Sequence, residues 1–389
     1  MADIQPVKIL YLHPTFTFGG AERTSLNLLT GLDKQRFKVT LVTSKEIALR
    51  FSGLALEKII HVEDIGMGIW FGGMMSLWKD VRIVAKVVKE EKPDIVFGMM
   101  HYSATALAFA KKFFRLKPKI IASPRGPSTD YLNACFNKKS EKVFLKALFS
   151  FFCKRSDALI VPSSGTKEDC VKNFGAKGER VNVINNSIDA GLISEKCKEE
   201  IDIEFPADTF VVSTAGRLSM EKNIPFLLRA FAVLRNKENA GLLIIGDGPE
   251  RANLEAVASE LGIRNDTVFV GFQENPYKYI KRSDVFVHTC LVEGFGNMIV
   301  EAMACGVPVI ATDCPYGPRE IIQNGENGIL APMDDTEALV EAIRSVLHDE
   351  GLRQRLSGKG YQRSLDFSIG RMVRAYEDVF LRLGEMKKS

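Results

Sequence analysis

The 389-residue sequence lacks several features, and each absence argues against a class of protein. Its seven cysteines are odd in number, widely spread and without a Cys-x-x-Cys pair. This argues against a disulfide framework or a zinc site and favours a reducing compartment. No uncharged apolar run reaches the roughly 18 to 20 residues that span a bilayer. Residues 1–6 lack the basic and then apolar layout of a signal peptide, so we expect a cytoplasmic globular protein.

Motifs for several kinds of chemistry are also missing. No Asp-x-Asp pair is present to hold a divalent metal on a diphosphate, and neither His-Glu-x-x-His nor Gly-x-Ser-x-Gly occurs. We find no basic motif interleaved with aromatics of the kind that single-strand binders use. These gaps predict a protein that requires no metal and has no nucleic-acid partner.

The charge is distributed unevenly along the chain. Residues 1–200 contain 31 basic and 21 acidic side chains, a net +10, whereas the remainder contains 21 basic and 27 acidic side chains, a net −6. A basic half joined to an acidic half indicates two domains with different partners. The basic half favours an anionic surface or an anionic substrate.

Near-continuous apolar runs alternate with helix-length segments. The runs are Val7–Leu12, Phe37–Val42, Asp94–Gly98, Lys119–Ala122 and Ala158–Val161 in the first half, and Phe210–Thr214, Gly241–Ile245, Thr267–Val270, Val285–His288 and Val307–Ala311 in the second. This pattern is typical of parallel sheets covered by helices on both faces. We predict an α/β fold of two doubly wound Rossmann-like domains facing across a cleft. The charged stretch Glu195–Glu200, with Pro206 after it, indicates a linker and a boundary at 198/199.

The segment Glu293–Glu301 follows a predicted strand and leads into a helix. Its glycines, Gly294 and Gly296, let backbone N–H groups approach a ligand closely, and a helix N-terminus favours a phosphate. The two glutamates flank this anion site. Because carboxylates repel phosphate, we expect Glu293 to bind a sugar hydroxyl and Glu301 a ribose diol. A capped helix with a solvated glutamate is the alternative.

Two cations follow the strand Phe210–Thr214. Arg217 comes directly after Gly216, and Lys222 precedes the next helix. Cations at one strand end can hold a diphosphate and offset the charge that develops as it leaves. The alternative is that both are ordinary surface cations.

The first half offers less specific candidates at its strand ends. A Gly19-Gly20 turn can bring backbone donors to a phosphate or sugar, although a plain tight turn fits equally well. His101, like His13, lies just past a strand and can bind a sugar hydroxyl or fill a structural role. Arg125 can meet an anionic acceptor or serve the scaffold.

Together these motifs resemble retaining GT-B glycosyltransferases of glycosyltransferase family 4. The resemblance covers nearly the whole chain through Gly19–Arg23, Gly216–Lys222, Gly246–Pro249, Gly271–Phe272 and Glu293–Ile310. It implies that a nucleotide-sugar binds the C-terminal domain and the acceptor binds the N-terminal one. It also implies that the last helix, placed at Asp366–Leu383, returns to the first domain. The domains are then 1–198 with 366–389, and 199–365.

The resemblance also implies roles for individual residues. Catalytic roles fall on Glu293, His101, Arg217 and Lys222. Donor contacts fall on Gly20, Gly216, Arg217, Lys222, Gly271, Phe272, Glu293, Phe295, Gly296, Asn297, Met298 and Glu301, with the base near Gly271 and Phe272. Acceptor contacts fall on Gly19, Glu22, Arg23 and Arg125, and no residue is assigned to a metal.

Two segments indicate a membrane surface. Asn133–Arg155 reads as a basic amphipathic helix, which can lie on an anionic membrane. Ile65–Trp78 runs for fourteen residues without a charge, a length that suits an interfacial or buried segment. Both segments can instead pack into the core or the cleft. We expect peripheral contact with the inner face of an anionic membrane.

The sequence thus predicts a retaining, metal-independent glycosyltransferase. We expect a nucleotide-diphospho-sugar donor, with UDP as the expected nucleotide, and a lipid-linked or polysaccharide acceptor in bacterial-type glycan assembly. Pro315–Glu320, which replaces a looser glycine stretch, resembles members with such acceptors. The alternatives are a nucleotide-sugar epimerase of the same fold and a non-catalytic nucleotide-sugar-binding subunit.

Overall fold

The chain divides into two compact units. The computed structural model describes residues 5–15, 19–68, 74–136, 138–203 and 205–385. The first unit comprises Met1–Ser187 and Ile369–Ser389, and the second comprises Ile188–Ser368.

The first unit contains a parallel sheet, which has seven strands among the described residues. The strands are β1 (Val7–Leu12), β2 (Phe37–Thr43), β3 (Lys58–His61), β4 (Ile95–Met99), β5 (Lys119–Ser123), β6 (Ala158–Val161) and β7 (Val181–Val183). Their spatial order is β3-β2-β1-β4-β5-β6-β7, and every pair is parallel. This is the order of a doubly wound nucleotide-binding fold.

Helices cover both faces of the first sheet. They are α1 (Gly20–Gly31), α2 (Lys45–Ala48), α3 (Val62–Ile65), α4 (Met74–Glu91), α5 (Met100–Phe114), α6 (Ser128–Cys135), α7 (Lys139–Arg155) and α8 (Ser164–Lys172). Successive residues of a strand point to opposite faces. Leu10 and Leu12 therefore pack in one core with α4, α5 and α7, whereas Ile9 and Tyr11 pack in the other with α1.

The second unit repeats this topology. Its strands are β8 (Phe210–Ala215), β9 (Ala240–Ile245), β10 (Thr267–Gly271), β11 (Val285–His288), β12 (Val309–Thr312) and β13 (Ile329–Ala331). Their order is β10-β9-β8-β11-β12-β13, again with every pair parallel. The predicted doubly wound α/β fold is therefore confirmed for both units.

The helices of the second unit range from four to sixteen residues in length. They are α9 (Ala190–Lys196), α10 (Ile224–Arg235), α11 (Arg251–Glu260), α12 (Tyr277–Ile280), α13 (Asn297–Ala304), α14 (Pro318–Ile321), α15 (Thr336–His348) and α16 (Glu350–Leu365). The chain then enters α17 (Ile369–Glu385), which packs against α1 and belongs to the first unit.

The units divide at Ser187 and Ser368, whereas the sequence predicted boundaries at 198 and 365. The charged stretch Glu195–Glu200 begins within the end of α9, and α9 packs in the second unit. Ile193 is buried there, and Asn275 donates its side-chain N–H to the Lys196 carbonyl at 2.9 Å. Glu195 and Lys196 end this packed helix, and Lys198, Glu199 and Glu200 follow it as exposed residues of the second unit.

Candidate functional site

The topology of the second sheet singles out one position for a ligand. In a doubly wound sheet, ligands bind outside the carboxyl ends of the strands, where the strand order reverses. In the second unit this reversal lies between β8 and β11. The loops that leave these two strands contain Gly216–Lys222 and Thr289–Glu293, which include the predicted diphosphate cations and the first glutamate.

Glycine allows the main chains of the neighbouring loops to approach each other closely. Gly246 has φ +134°, and a Cβ added there would lie 1.9 Å from the Gly216 carbonyl oxygen. Gly246 donates its N–H to the Gly271 carbonyl at 2.9 Å, and Leu218 donates to the Asp247 carbonyl at 2.9 Å. The loops after β8, β9 and β10 are thus joined by main-chain contacts that only glycine permits at residue 246.

Lys222 and Glu293 form the ion pair at the centre of this edge. Lys222 ends a short 3₁₀ turn, and its Nζ lies 2.7 Å from Glu293 Oε2. The side chains are 22% and 17% exposed, so the pair is shielded but accessible. Burial would raise the pKa of Glu293, but the Lys222 ammonium and His288 hold it well below its ordinary value. Burial would lower the pKa of Lys222, but Cys290 and Glu293 raise it. Both groups are therefore charged.

Two further side chains fix the orientation of Glu293. His288 Nε2 lies 3.2 Å and Cys290 Sγ 3.4 Å from Glu293 Oε2. A carboxylate only accepts hydrogen bonds, so both groups donate. Burial lowers the pKa of His288, which keeps the imidazole neutral. The other oxygen, Oε1, accepts the N–H of Gly294 at 3.1 Å. Glu293 is thereby held as an anion with its two oxygens facing different donors.

The same side chains are the metal-ligand candidates among the described residues. Ligand atoms of His288, Cys290 and Glu293 lie within 4.8 Å of one another. A cation bound there would have to displace the Lys222 ammonium from Glu293. Burial also raises the pKa of the Cys290 thiol well above its ordinary value, which disfavours the thiolate that metals bind. The donor set therefore fits a metal poorly.

The start of α13 is shaped by glycine. Gly296 precedes the helix with φ +107°, and its carbonyl accepts the N–H of Ile299 at 3.0 Å. Gly317 lies against this turn, since a Cβ there would meet the Phe295 carbonyl oxygen at 2.6 Å. The Phe295 side chain is buried against Phe367. Any ligand contact of Phe295 must therefore come from its backbone.

The other predicted donor residues differ in accessibility. Glu301 lies one turn into α13 and is only 2% exposed, so its contact with a ribose remains a prediction. Asn297 and Met298 are half-buried in the first turn of the helix. Arg217 and Phe272 are exposed. Arg217 thus lies in the same loop as Lys222 but is more exposed to solvent.

His101 lies in the first turn of α5, at the carboxyl edge of the first sheet. Its Nε2 is 2.8 Å from Ser128 Oγ, and its ring stacks on Tyr131 at 4.9 Å and Phe149 at 4.5 Å. Burial lowers the pKa of His101 to about 4. The imidazole is therefore neutral and enclosed by aromatic rings. Its catalytic role remains a prediction.

Glu22 takes part in a buried network at the end of β1. Its Oε2 accepts the Gly19 N–H at 2.8 Å, and its Oε1 lies 3.2 Å from His13 Nε2. His13 Nδ1 lies 2.9 Å from Ser25 Oγ, which lies 2.9 Å from the Tyr11 hydroxyl. Burial would raise the pKa of Glu22, but the His13 contact lowers it. Glu22 thus caps α1 and holds His13.

Arg125 joins three elements of the first unit. Its guanidinium donates to Ser123 Oγ at 3.1 Å, to the Tyr376 hydroxyl of α17 at 3.4 Å and to Asn186 Oδ1. A contact with an anionic acceptor would compete with these bonds. Of the other predicted acceptor and donor residues here, Gly20 is exposed and Arg23 is half-buried.

Sequence reasoning missed several polar residues that complete these edges. His288 and Cys290 hold Glu293, and Ser25 links His13 to the core. For His288 a signal was present, because it ends a buried strand at the reversal point, just before the loop that contains Glu293. Cys290 and Ser25 carry no such signal, since their roles depend on side-chain packing.

The structure describes α7 in full but only part of the other segment that we expect at a membrane. The apolar side of α7, with Leu145, Leu148, Phe149 and Phe152, is buried in the core of the first unit. Of the uncharged stretch Ile65–Trp78, residues 69–73 lie outside the described residues. Among the described helices, none is both long and apolar enough to cross a bilayer.

Two family models match the chain, one in each half. The model described as Glycosyltransferase Family 4 matches residues 18–192, and the model described as Glycosyl transferases group 1 matches residues 196–363. Together they span both units.

Curated relatives are similar over most of their length. The chain is 30% identical to the Campylobacter jejuni N-acetylgalactosamine-N,N'-diacetylbacillosaminyl-diphospho-undecaprenol 4-alpha-N-acetylgalactosaminyltransferase, over 69% of this chain and 71% of that protein. It is 28% identical to the lipopolysaccharide core biosynthesis glycosyltransferase LpsD of Rhizobium meliloti, over 97% of this chain and 98% of that protein.

A solved structure shares the fold. The crystal structure of Anabaena HepE in complex with UDP and glucose matches with a TM-score of 0.79 and 20% identity, over 96% of this chain and 99% of that one. At this identity the match shows a common fold.

Proposed function

This chain belongs to the family 4 glycosyltransferases of the GT-B fold, and on that premise we propose its reaction. It transfers a sugar, with retention of anomeric configuration, from a nucleotide-diphospho-sugar to a lipid-linked or polysaccharide acceptor in bacterial-type glycan assembly. UDP is the proposed nucleotide, which is the nucleotide bound in the HepE structure.

The observation that supports this proposal best is the Lys222–Glu293 ion pair. It lies at the reversal point of the second sheet, where a doubly wound fold binds its ligand. The start of α13 lies in the same loop region, and a helix N-terminus favours a diphosphate. A cation from the loop after β8, and an anion and a helix start from the loop after β11, therefore lie at one edge of the sheet.

The ion pair indicates how the leaving group is stabilised. A bound diphosphate competes with Glu293 for the Lys222 ammonium, because both are anions that need the same cation. When Lys222 turns to the diphosphate, His288 and Cys290 still hold Glu293 Oε2. Glu293 then accepts a hydrogen bond from a hydroxyl of the transferred sugar. Lys222, exposed Arg217 and backbone donors offset the charge that develops on the diphosphate.

We propose retention without a covalent enzyme intermediate. Glu293 stays engaged by His288, Cys290 and the Gly294 N–H after Lys222 turns to the diphosphate, which makes it a poor nucleophile. The acceptor hydroxyl then attacks the anomeric carbon on the face from which the diphosphate leaves, the bond to the diphosphate breaks, and the departing diphosphate oxygen takes the hydroxyl proton. The cationic Lys222 stands where a metal would otherwise neutralise the diphosphate, which supports metal independence as part of the proposal.

The proposed acceptor follows from the relatives. The Campylobacter jejuni relative is named for transfer to a diphospho-undecaprenol-linked sugar, and LpsD for lipopolysaccharide core biosynthesis. A lipid-linked acceptor requires the protein to work at a membrane surface. We assign acceptor binding to the first unit, which is the more basic one.

The test is to incubate the purified chain with a panel of nucleotide-sugars, with and without undecaprenyl-diphosphate-linked sugars, and to measure released nucleotide. Release that requires acceptor supports the proposal, and the anomeric configuration of the product, read by NMR, tests retention. Activity unchanged by EDTA supports metal independence. Epimerised donor without acceptor, or donor binding without any release, would contradict it in favour of an epimerase or a non-catalytic binding subunit.

A further inference from the structure

Two cysteines of the second unit lie at the ends of helices that pack together. Cys197 is the C-cap residue of α9 and donates its N–H to the Ile193 carbonyl at 2.9 Å. Cys305 is the C-cap residue of α13 and donates its N–H to the Glu301 carbonyl at 3.0 Å. Both side chains pack in the hydrophobic core that also contains Tyr277 of α12. The two helix ends therefore place two thiols in one region of the core.

The two thiols share one carbonyl group. Cys197 Sγ lies 3.7 Å and Cys305 Sγ lies 4.0 Å from the Tyr277 carbonyl oxygen. The thiols also form a side-chain hydrogen bond with each other. Because both sulfurs contact the same oxygen and each other, they need little side-chain movement to form a bond.

Access to solvent distinguishes this pair from the other cysteines that the structure describes. Cys197 is half-buried, whereas the others are buried, namely Cys153, Cys170, Cys290, Cys305 and Cys314. A second pair, Cys153 and Cys170 of the first unit, also shares a side-chain hydrogen bond, but its residues are only 1% and 0% exposed. The first unit thus contains a comparable pair of thiols without access to a dissolved oxidant.

Lys281 lies beside the accessible pair. A Cβ added at Gly306, the residue after Cys305, would lie 3.5 Å from Lys281 Nζ. The Cys305 hydrogen bond lowers the pKa of the Cys197 thiol against the opposing effect of burial, and the Lys281 ammonium lowers it further. The hydrogen bond to Cys197 and burial raise the pKa of Cys305. Since the thiolate is the nucleophile, Cys197 is the attacking thiol and Cys305 the resolving one.

We propose that Cys197 and Cys305 form an oxidation site that closes into a reversible disulfide between α9 and α13, with hydrogen peroxide as the oxidant. The Cys197 sulfur attacks one peroxide oxygen, the O–O bond breaks, and the other oxygen takes a proton and leaves as water. This step gives a sulfenic acid on Cys197.

The second step forms the disulfide. The Cys305 sulfur attacks the sulfenic sulfur, the S–O bond breaks, and the hydroxyl leaves as water with the proton of the Cys305 thiol. The peroxide gains two electrons, and the two thiols lose them in forming one S–S bond. A small thiol reductant reverses the reaction by thiol–disulfide exchange.

A reversible disulfide agrees with the reducing compartment that the cysteine pattern predicts. Disulfides in such compartments are mostly transient, and redox sensing is one of their uses. The inference goes beyond the proposed transferase reaction and does not depend on it, because neither Lys222 nor Glu293 takes part in the oxidation.

The experiment is to treat the full chain with hydrogen peroxide, block the free thiols with N-ethylmaleimide and map the peptides by mass spectrometry. The expected product is a peptide pair linked through Cys197 and Cys305, two hydrogens lighter than the reduced pair, which dithiothreitol separates. Cys153 and Cys170 are the internal control and should stay reduced. This measurement uses the wild-type protein and so does not depend on the folding of a variant.

Variants test the order of the two steps. Cys305→Ala should stop the reaction at the sulfenic acid of Cys197, which dimedone traps, and Cys197→Ser should leave Cys305 reduced. Lys281→Gln should slow the oxidation of Cys197 about threefold, since a smaller thiolate fraction is partly offset by greater nucleophilicity. Arg282→Gln, which removes the exposed cation next in sequence, is the matched control and should oxidise like wild type.

Three results would overturn the proposal. One is the absence of the linked pair from peroxide-treated wild type, and another is oxidation of Cys153 and Cys170 at the same rate as Cys197 and Cys305. The third is trapping of a sulfenic acid on Cys305 in the Cys197 variant, which would reverse the roles of the thiols. A linked pair in a protein without transferase activity would support this site and refute the proposed reaction, so the two can fail separately.

Discussion

The two sheets have the same strand order, but their carboxyl edges use polar side chains differently. In the second unit, Lys222 and Glu293 meet each other in a shielded but accessible ion pair. In the first unit, His101 is enclosed by aromatic rings and Arg125 is bound to three scaffold groups. A residue at a strand end thus forms an accessible ion pair in one unit and is engaged by the scaffold in the other.

This difference shows what topology decides and what it leaves open. Strand order brings the loops after β8 and β11 together, so the meeting of Lys222 and Glu293 follows from the fold. The first unit obeys the same rule, yet Ser128, Tyr131 and Phe149 occupy the surroundings of His101. Whether a strand-end side chain can exchange its partner for a ligand depends on those neighbours.

The largest expected effect comes from removing the cation of the second unit. Lys222→Ala should lower kcat by about 10² to 10³, the usual loss when one preorganised charge-stabilising group is removed. Nucleotide release in the presence of acceptor measures it. Lys278→Ala, a half-buried lysine of the same unit, is the control and should behave like wild type. Near-normal turnover by the Lys222 variant would remove its diphosphate role.

A smaller effect is expected from Arg125 in the first unit. Arg125→Ala removes charged hydrogen bonds to Ser123, Tyr376 and Asn186 and should lower the free energy of unfolding by about 2 kcal/mol. Urea unfolding followed by tryptophan fluorescence reports this unit, because both tryptophans, Trp70 and Trp78, belong to it. Unchanged stability with a raised KM for acceptor would instead assign Arg125 to substrate binding.

The pH dependence of the first unit gives an effect of similar size. Burial lowers the pKa of His101 to about 4, so between about pH 6.5 and pH 4 the unfolded chain binds a proton that the folded chain does not. Stability therefore falls as the pH falls through this window. From pH 7 to pH 5, wild type should lose about 2 kcal/mol more than His101→Gln, measured by urea unfolding. Parallel losses would mean that His101 titrates normally.

Much of the fold was predictable from the sequence because the central strands are apolar and mostly buried. Val7–Leu12 and Val285–His288 have the bounds that the sequence predicted. The edge strands β3, β7 and β13 were missed, since they are short and incompletely buried and so give a weak pattern. The strand predicted from Val307 begins at Val309, after Pro308, which lacks the N–H that a ladder needs.

The site was predictable only to the level of loops. Spacing and strand ends placed Lys222 and Glu293 at one edge, where they are in contact. The additional donors on Glu293, His288 and Cys290, precede it by five and three residues, and their contacts depend on the conformation of that loop. The burial of Glu301 depends on tertiary packing. Such contacts leave no periodic signal in the chain.

The central claim is that the edge formed by the loops after β8 and β11 holds the donor diphosphate. A crystal structure of the protein with UDP tests it most directly. The account predicts that the diphosphate oxygens lie within hydrogen-bonding distance of Lys222 Nζ and of the main-chain N–H groups at the start of α13. A diphosphate bound elsewhere, with the 2.7 Å contact between Lys222 and Glu293 unchanged, would contradict it.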